Sequence, residues 1–413
     1  MKKIFYLLIP YTLFLIPCTS FAGGFQVNLQ GQKQMGMGHT GTGLLLDGAS
    51  LFFNPGAVSF LDSVRLVQIG ASFILPRSEY LEAYPGIYTA EMVHHVGTPF
   101  SVYMVGKTSS TSKLSLGLAV YTPFGSHEEW PKDWKGQFLL REINLKAIYY
   151  QPTVSYKVCD KVGIGGGLVF AEGNFSIIQG IPVQDSMGNY GTATLNGSAN
   201  SFGYNAGIYF KPDSKFSVGL DYRSAVKMKM KDGSANFMVA SALADSFPNT
   251  TFVATLTLPS STSLGFGYIV NEKLKLALDI NYIGWKVYDT LSFDFTKNTT
   301  LLKDVHSPRM YKNTFIVRAG AQYHYKENVF IRGGIYFDKS PVQSGYLTPE
   351  TPDANRIGVT AGASWRISKK FNLDLSLLYI EGMKRTDTNI QTQFSGTYKA
   401  RAVAPGFAIE YLF

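Results

Sequence analysis

The chain has 413 residues and a formal net charge of +9, mildly basic for its length, and no dense run of lysine or arginine marks a nucleic-acid surface. Its 41 glycines, 25 tyrosines and 29 phenylalanines accompany a mean hydropathy of only +0.02, a balance that suits strands apolar on one face and polar on the other. No later window holds the ~20 consecutive apolar residues that a spanning helix needs; a membrane form of this chain must be a closed barrel, and the competing class is a soluble all-β sandwich or solenoid.

Lys2 and Lys3, the apolar stretch from Ile4 to Ile16 and the small residues of Ser20-Phe21-Ala22 make a signal peptide over residues 1–22, with cleavage expected after Ala22. A lipoprotein reading competes, because Leu15 lies three residues before Cys18, but Pro17 is a poor neighbour for a lipidated cysteine. Cleavage after Ala22 leaves Cys159 as the one cysteine, so no intramolecular disulfide can form.

Residues 23–61 do not alternate. They carry Gly31, Gly36, Gly38, Gly41, Gly43 and Gly48, the clusters Leu44-Leu45-Leu46 and Leu51-Phe52-Phe53, and then Asn54-Pro55-Gly56. Large apolar side chains belong in a dry place, and in a barrel the nearest one is the lumen. Each burial would contribute about 1.5 to 3 kcal/mol before ordering entropy is set against it. The alternative to that burial is a partner-binding tail. Gly36-Met37-Gly38-His39-Thr40-Gly41 spells G-x-G-x-x-G, but no strand precedes it, so nucleotide binding is set aside.

From residue 62 to 413 the pattern is alternation. Leu274, Leu276, Leu278, Ile280 and Tyr282 share one face against Lys275, Ala277, Asp279 and Asn281; the same phase recurs at Phe216–Arg223, Phe315–His324, Arg356–Trp365 and Phe371–Tyr379. Short polar turns fall around Asp160, Pro212-Asp213-Ser214, Asn271-Glu272, Lys326-Glu327-Asn328 and Ser368-Lys369-Lys370, with a looser one from Thr108 to Ser112. Six short turns and seven long connections require fourteen strands, beginning near Val64 and ending at Phe413. Short turns on one side and long loops on the other fit an outer-membrane barrel, the short ones facing the periplasm.

Within this pattern some residues stand out. The third strand runs Leu114, Leu116, Leu118, Val120 and then meets Pro123-Phe124-Gly125, where a proline removes a ladder bond and favours a bulge or gap. His94-His95 has no carboxylate or cysteine at ligand spacing and reads as a loop pair. Gly165-Gly166-Gly167 sits inside a strand, where it permits curvature or close packing. Phe237, Met238, Val239 and Leu243 recur at roughly helical spacing and predict a short amphipathic helix with an apolar landing surface, or else packing against neighbouring loops. Arg318, Arg332 and Arg356 fall on the lumen-facing phase, where each could meet a ligand carboxylate or an internal salt bridge. The chain ends Phe407, Ile409, Tyr411, Phe413, which resembles the C-terminal signal of barrels inserted by the outer-membrane assembly machinery.

Gly24-Phe25-Gln26, the glycine-rich run, Asp47-Gly48-Ala49 and Asn54-Pro55 resemble the N-terminal hatch of the FadL-type transporters of long-chain fatty acids and other hydrophobic compounds. Phe337-Asp338-Lys339-Ser340-Pro341-Val342 with Pro352-Asp353-Ala354-Asn355-Arg356 is similar to that family's second signature. The hatch motif usually ends in alanine, and Gly56 in its place is expected to loosen the local backbone. The resemblance implies an all-β, fourteen-stranded transmembrane barrel (62–413) with a plug inside the lumen (23–61). It further implies passive uptake of a hydrophobic ligand, hatch rearrangement through Gly24, Phe25, Leu45, Phe52, Phe53, Asn54, Pro55 and Gly56, and lateral exit at Pro123, Phe124 and Gly125.

The expected setting is the outer membrane, with a fatty-acid-like ligand, outer-membrane lipid and lipopolysaccharide, and the assembly machinery as partners. No nucleic acid, cofactor, metal or catalytic residue is expected, and a monomer is. The rivals are a general diffusion porin for polar solutes, a barrel enzyme acting on lipids, and an adhesin working through its long loops.

Overall fold

A computed structural model describes residues 23–413, and the expected signal peptide lies outside the described residues. Fourteen strands form the wall: β1 Arg65–Ser72, β2 Phe100–Lys107, β3 Leu114–Glu129, β4 Glu142–Cys159, β5 Val162–Gln184, β6 Tyr190–Phe210, β7 Phe216–Arg223, β8 Ser261–Ile269, β9 Leu274–Ile283, β10 Thr314–Lys326, β11 Val329–Asp338, β12 Arg356–Arg366, β13 Phe371–Gly382 and β14 Ser395–Leu412. Each pairs antiparallel with the next. β14 returns to β1, with Leu66 facing Leu412 and Ser72 facing Gly406, so the ring is closed and leaves no edge strand.

Alternation builds this wall because one face meets lipid and the other the interior. On β9, Leu276 and Leu278 point out and are 39% and 41% exposed, while Ala277 and Asp279 point in at 6% and 1%. The connections at 108–113, 160–161, 211–215, 270–273, 327–328 and 367–370 are short and lie on one side. On the other side the sheet continues beyond the ring: Leu75–Glu82 pairs with β14, and Val226–Met238 pairs with both β6 and Thr250–Leu258.

Residues 23–61 touch the wall from within. They hold two single-turn helices, α1 Gln32–Met35 and α2 Ser50–Phe53, then a 3-10 stretch, Pro55–Phe60. A Cβ at Gly36 would come 2.7 Å from the Cα of Gly362 on β12, and one at Gly43 would come 2.3 Å from the carbonyl carbon of Gly265 on β8. At Gly56 it would meet the carbonyls of Gly207 and Gly163, on β6 and β5, at 2.7 and 2.8 Å. Gly56 therefore stands where alanine would because the backbone of the wall is that close, which differs from the expected local loosening. Close packing also accounts for Gly165, where an added Cβ would come 2.4 Å from the carbonyl oxygen of Pro55.

Candidate functional site

The leading segment is pinned by polar groups that the wall supplies. Asn54 donates from Nδ2 to the carbonyls of Thr42 and Ile208, both at 3.0 Å, and accepts from Gly56 N at 3.0 Å, capping the 3-10 stretch. Lys33, on α1, is buried among three carboxylates: Glu410 on β14 at 2.5 Å, Asp47 at 3.6 Å and Asp374 on β13 at 3.8 Å. Asp47 also accepts from Gln34 and Gln68, each at 2.8 Å. Phe52 lies under the Arg223 guanidinium at 4.2 Å and against Tyr121 at 5.0 Å. Phe53 packs edge-on against His39 at 4.8 Å, and Leu45 is half-buried against the same core. Burial, with Arg318 nearby, holds the His39 imidazole well below its ordinary value.

The wall is irregular at β3. Its ladder with β2 runs from Lys107 facing Ser115 to Ser101 facing Tyr121, and its register against β4 slips between Tyr121 and Phe124. Beyond that point the edge of β3 is taken by the leading segment. Val27 N donates to Pro123 O at 2.9 Å, Gly125 N donates to Phe25 O at 3.1 Å, and Gln26 stands opposite Phe124. The chain leading into β2 meets β3 again at Val93 N, which donates to Glu129 O at 2.7 Å. Between these points His95 lies over His127, ring centroids 3.8 Å apart. A proline at 123 and the bulge it allows thus put a three-residue patch of foreign strand into the seam.

Three cavities lie in sequence along this region. An inner cavity of about 450 Å³ is bounded by Gly24–Leu29, by His95–Pro99 and by Gly125–Glu128, so it opens beside the β3 seam. An outer cavity of about 420 Å³ on the long-loop side is lined by Phe237, Phe247, Phe293, Phe295, Leu301 and Leu302. A neck of about 30 Å³ shares Phe25, Ser126 and Leu145 with the inner cavity and Leu291, Arg309 and Glu350 with the outer one. Phe25 dominates the neck, its ring 4.8 Å from Trp285 and 5.6 Å from Tyr288. It is held there by the turn at Gly24, whose N–H bonds Asp353 at 3.1 Å.

Phe237 lines the outer cavity, Val239 packs beside it, and Met238 is exposed. The helix expected over 237–243 is absent. Phe237 and Met238 end a strand paired with Ala193 and Thr192 of β6, and a three-residue 3-10 turn, Ser241–Leu243, follows. The ladder, made of long-range bonds, overrides a spacing that suits helix and strand alike over so few residues.

The three arginines part company. Arg318 bonds Asn281 at 2.8 Å, lies 4.9 Å over Tyr336 and lines a separate polar pocket of about 40 Å³ with His39, Asp221 and Arg223. Arg332 bonds Gln322 at 2.7 Å and Ser364, away from the apolar cavities. Arg356 lines the inner cavity and is paired with Asp338 at 2.8 Å. Phe175, Trp285, Tyr288, Arg309 and Glu350 were not singled out by sequence reasoning. The alternation of Leu291, Phe293 and Phe295 is the sequence signal for an apolar surface there, and it went unread.

One protein-family model, described as outer membrane protein transport protein (OMPP1/FadL/TodX), matches residues 13–413. The chain is 22% identical over 422 residues to the long-chain fatty acid transport protein of Escherichia coli K12, with 94% of each chain covered. It superposes on a crystal structure of a Pseudomonas aeruginosa FadL homologue with a TM-score of 0.84 at 18% identity, over 95% of this chain and 100% of that one. For the P. putida toluene transporter TodX the TM-score is 0.71 at 16% identity, over 92% and 97%. At such identities the structural likeness concerns the fold alone.

Proposed function

Because the chain belongs to the OMPP1/FadL/TodX family of outer membrane transport proteins, we propose that it carries hydrophobic small molecules, long-chain fatty acids or similar lipophiles, passively across the outer membrane. The relatives named for fatty acid and for toluene mark the two ends of that range. The observation that carries the reading is the run of apolar cavity, neck and cavity from the long-loop side to the β3 seam. A ligand is caught among the outer phenylalanines, passes Phe25, and leaves sideways where residues 25–27 patch the wall.

Affinity sets the need for movement. About ten buried methylenes are worth ~8 kcal/mol gross, the scale of micromolar binding, and so tight a site releases slowly unless it changes shape. In this reading the leading segment is a plug that shifts between two packings and takes the patch with it. Gln26 and Phe124 form a non-hydrogen-bonded antiparallel pair, whose Cα atoms lie about 4.5 Å apart, within disulfide reach. The test is the pair Gln26→Cys and Phe124→Cys in a Cys159→Ser background, assayed for fatty acid and toluene uptake oxidised and reduced. Uptake that stops on oxidation and returns on reduction supports the moving patch; equal uptake in both states overturns it.

A further inference from the structure

The neck is mostly apolar; Ser126, Thr351 and Tyr288 bring hydroxyls to it, and its charged lining residues are one ion pair. Arg309 Nη2 and Glu350 Oε1 are 3.2 Å apart, with side chains only 6% and 15% exposed. Around them stand Phe25, Phe175, Leu256, Tyr288 and Leu291. Arg309 belongs to the connection before β10 and Glu350 to the one before β12, so the pair ties two long loops together at the narrowest point between the two cavities.

We propose, building on the transport reading above, that Glu350 occupies the position an anionic head group would need and so makes this path selective for uncharged lipophiles: hydrocarbons, alcohols or esters rather than fatty acid anions. An entering carboxylate has to take Arg309 from an acid already tethered beside it. It then leaves two like charges buried in an apolar neck with one cation between them, an arrangement penalised by desolvation and by repulsion. A neutral molecule passes the pair without breaking it, and its affinity comes from apolar burial alone.

The other two arginines on the path follow the same pattern. In the inner cavity Arg356 is held by Asp338 at 2.8 Å and Arg401 by Glu79 at 3.3 Å. Glu128 and Asp353 line the same cavity as two further acids. Lys303 and Lys146, which line the outer and inner cavities, are exposed to solvent. Among the described residues, each arginine that lines the path is thus already paired with an acid, and the half-buried His95 and His127 lie against each other.

The experiment compares dodecanol, methyl dodecanoate and dodecanoate in equilibrium binding to the full protein in lipid nanodiscs, with empty discs subtracted, at an alkaline pH where the acid is ionised. Dodecanol and the ester are expected to bind at least about tenfold tighter than dodecanoate, a gap of ~1.4 kcal/mol. Glu350→Gln, which frees Arg309, is expected to bring dodecanoate to within about threefold of the alcohol. If dodecanoate already binds the unaltered protein as tightly as dodecanol, the neutral selection fails while the transport reading stands. If none of the three binds, the transport reading itself fails. A folded Glu350→Gln protein with no gain for dodecanoate removes Glu350 from the explanation, and the comparison on the unaltered protein does not depend on that variant.

Discussion

Val27 donates its backbone N–H to the carbonyl of Pro123 at 2.9 Å, and the return bond of that antiparallel pair is missing because a proline has no N–H to give. The patch in the β3 seam is therefore tied by one bond fewer than an ordinary strand pair. Pro123→Val restores a donor that faces the carbonyl of Val27. A net backbone hydrogen bond is worth about 1 kcal/mol, so the patch should open roughly fivefold less often. Initial rates of lipophile uptake by cells producing equal amounts of the two proteins check this, with a several-fold fall expected for the valine variant.

Lys33 is the cation that makes three buried carboxylates tolerable. Asp47, Asp374 and Glu410 bring oxygens within 4.8 Å of one another, and without the ammonium they repel. Removing one partner of a buried ion pair costs about 3 to 5 kcal/mol, so Lys33→Met should unseat the leading segment while the closed wall survives. Planar-bilayer conductance is the readout: a larger, steadier ion current than the unaltered barrel is expected, and an unchanged current would mean that the segment stays in place.

Gly56 touches the backbone of β5 and β6 with no room for a methyl group. Gly56→Ala should push the Asn54 cap off its two carbonyls at a cost of about 1 to 3 kcal/mol. Hydrogen exchange at residues 50–60 is expected to speed up by at least tenfold, with β12 and β13, on the far side of the ring, unaffected.

His39 gives the segment a dependence on pH. Its ordinary value is 6.5, and burial, then Arg318, lowers it far below that. The loosened segment accepts a proton that the packed one refuses, so packing is at full strength above about 6.5 and weakens as the pH falls below it. Limited proteolysis of residues 23–61 should become faster in mild acid, and His39→Gln should flatten that dependence. Cleavage at the same rate on both sides of neutrality would show that His39 does not titrate against the packing.

Much of this architecture could be read before any coordinates. Alternation such as Leu274 to Tyr282 repeats with every strand, and a turn as short as that at Asp160 allows only an antiparallel partner; together they fix the strand count. Pro123 was legible because a proline in a strand has a local meaning. The Arg309–Glu350 pair was not, since 41 residues separate the partners and only the folded loops bring them together. The 237–243 stretch was misread for a related reason: its bonds go to β6, and nothing local announces that. Gly56 was read for flexibility, whereas the backbone it nearly touches lies far along the chain.

Glu410 lies on β14, the strand whose pairing with β1 completes the ring, and its carboxylate binds Lys33. Seating residues 23–61 and zipping the final seam are thereby coupled. A chain whose leading segment is misplaced brings an uncompensated acid to its hoop as it shuts, so the ring closes more readily with Lys33 in place.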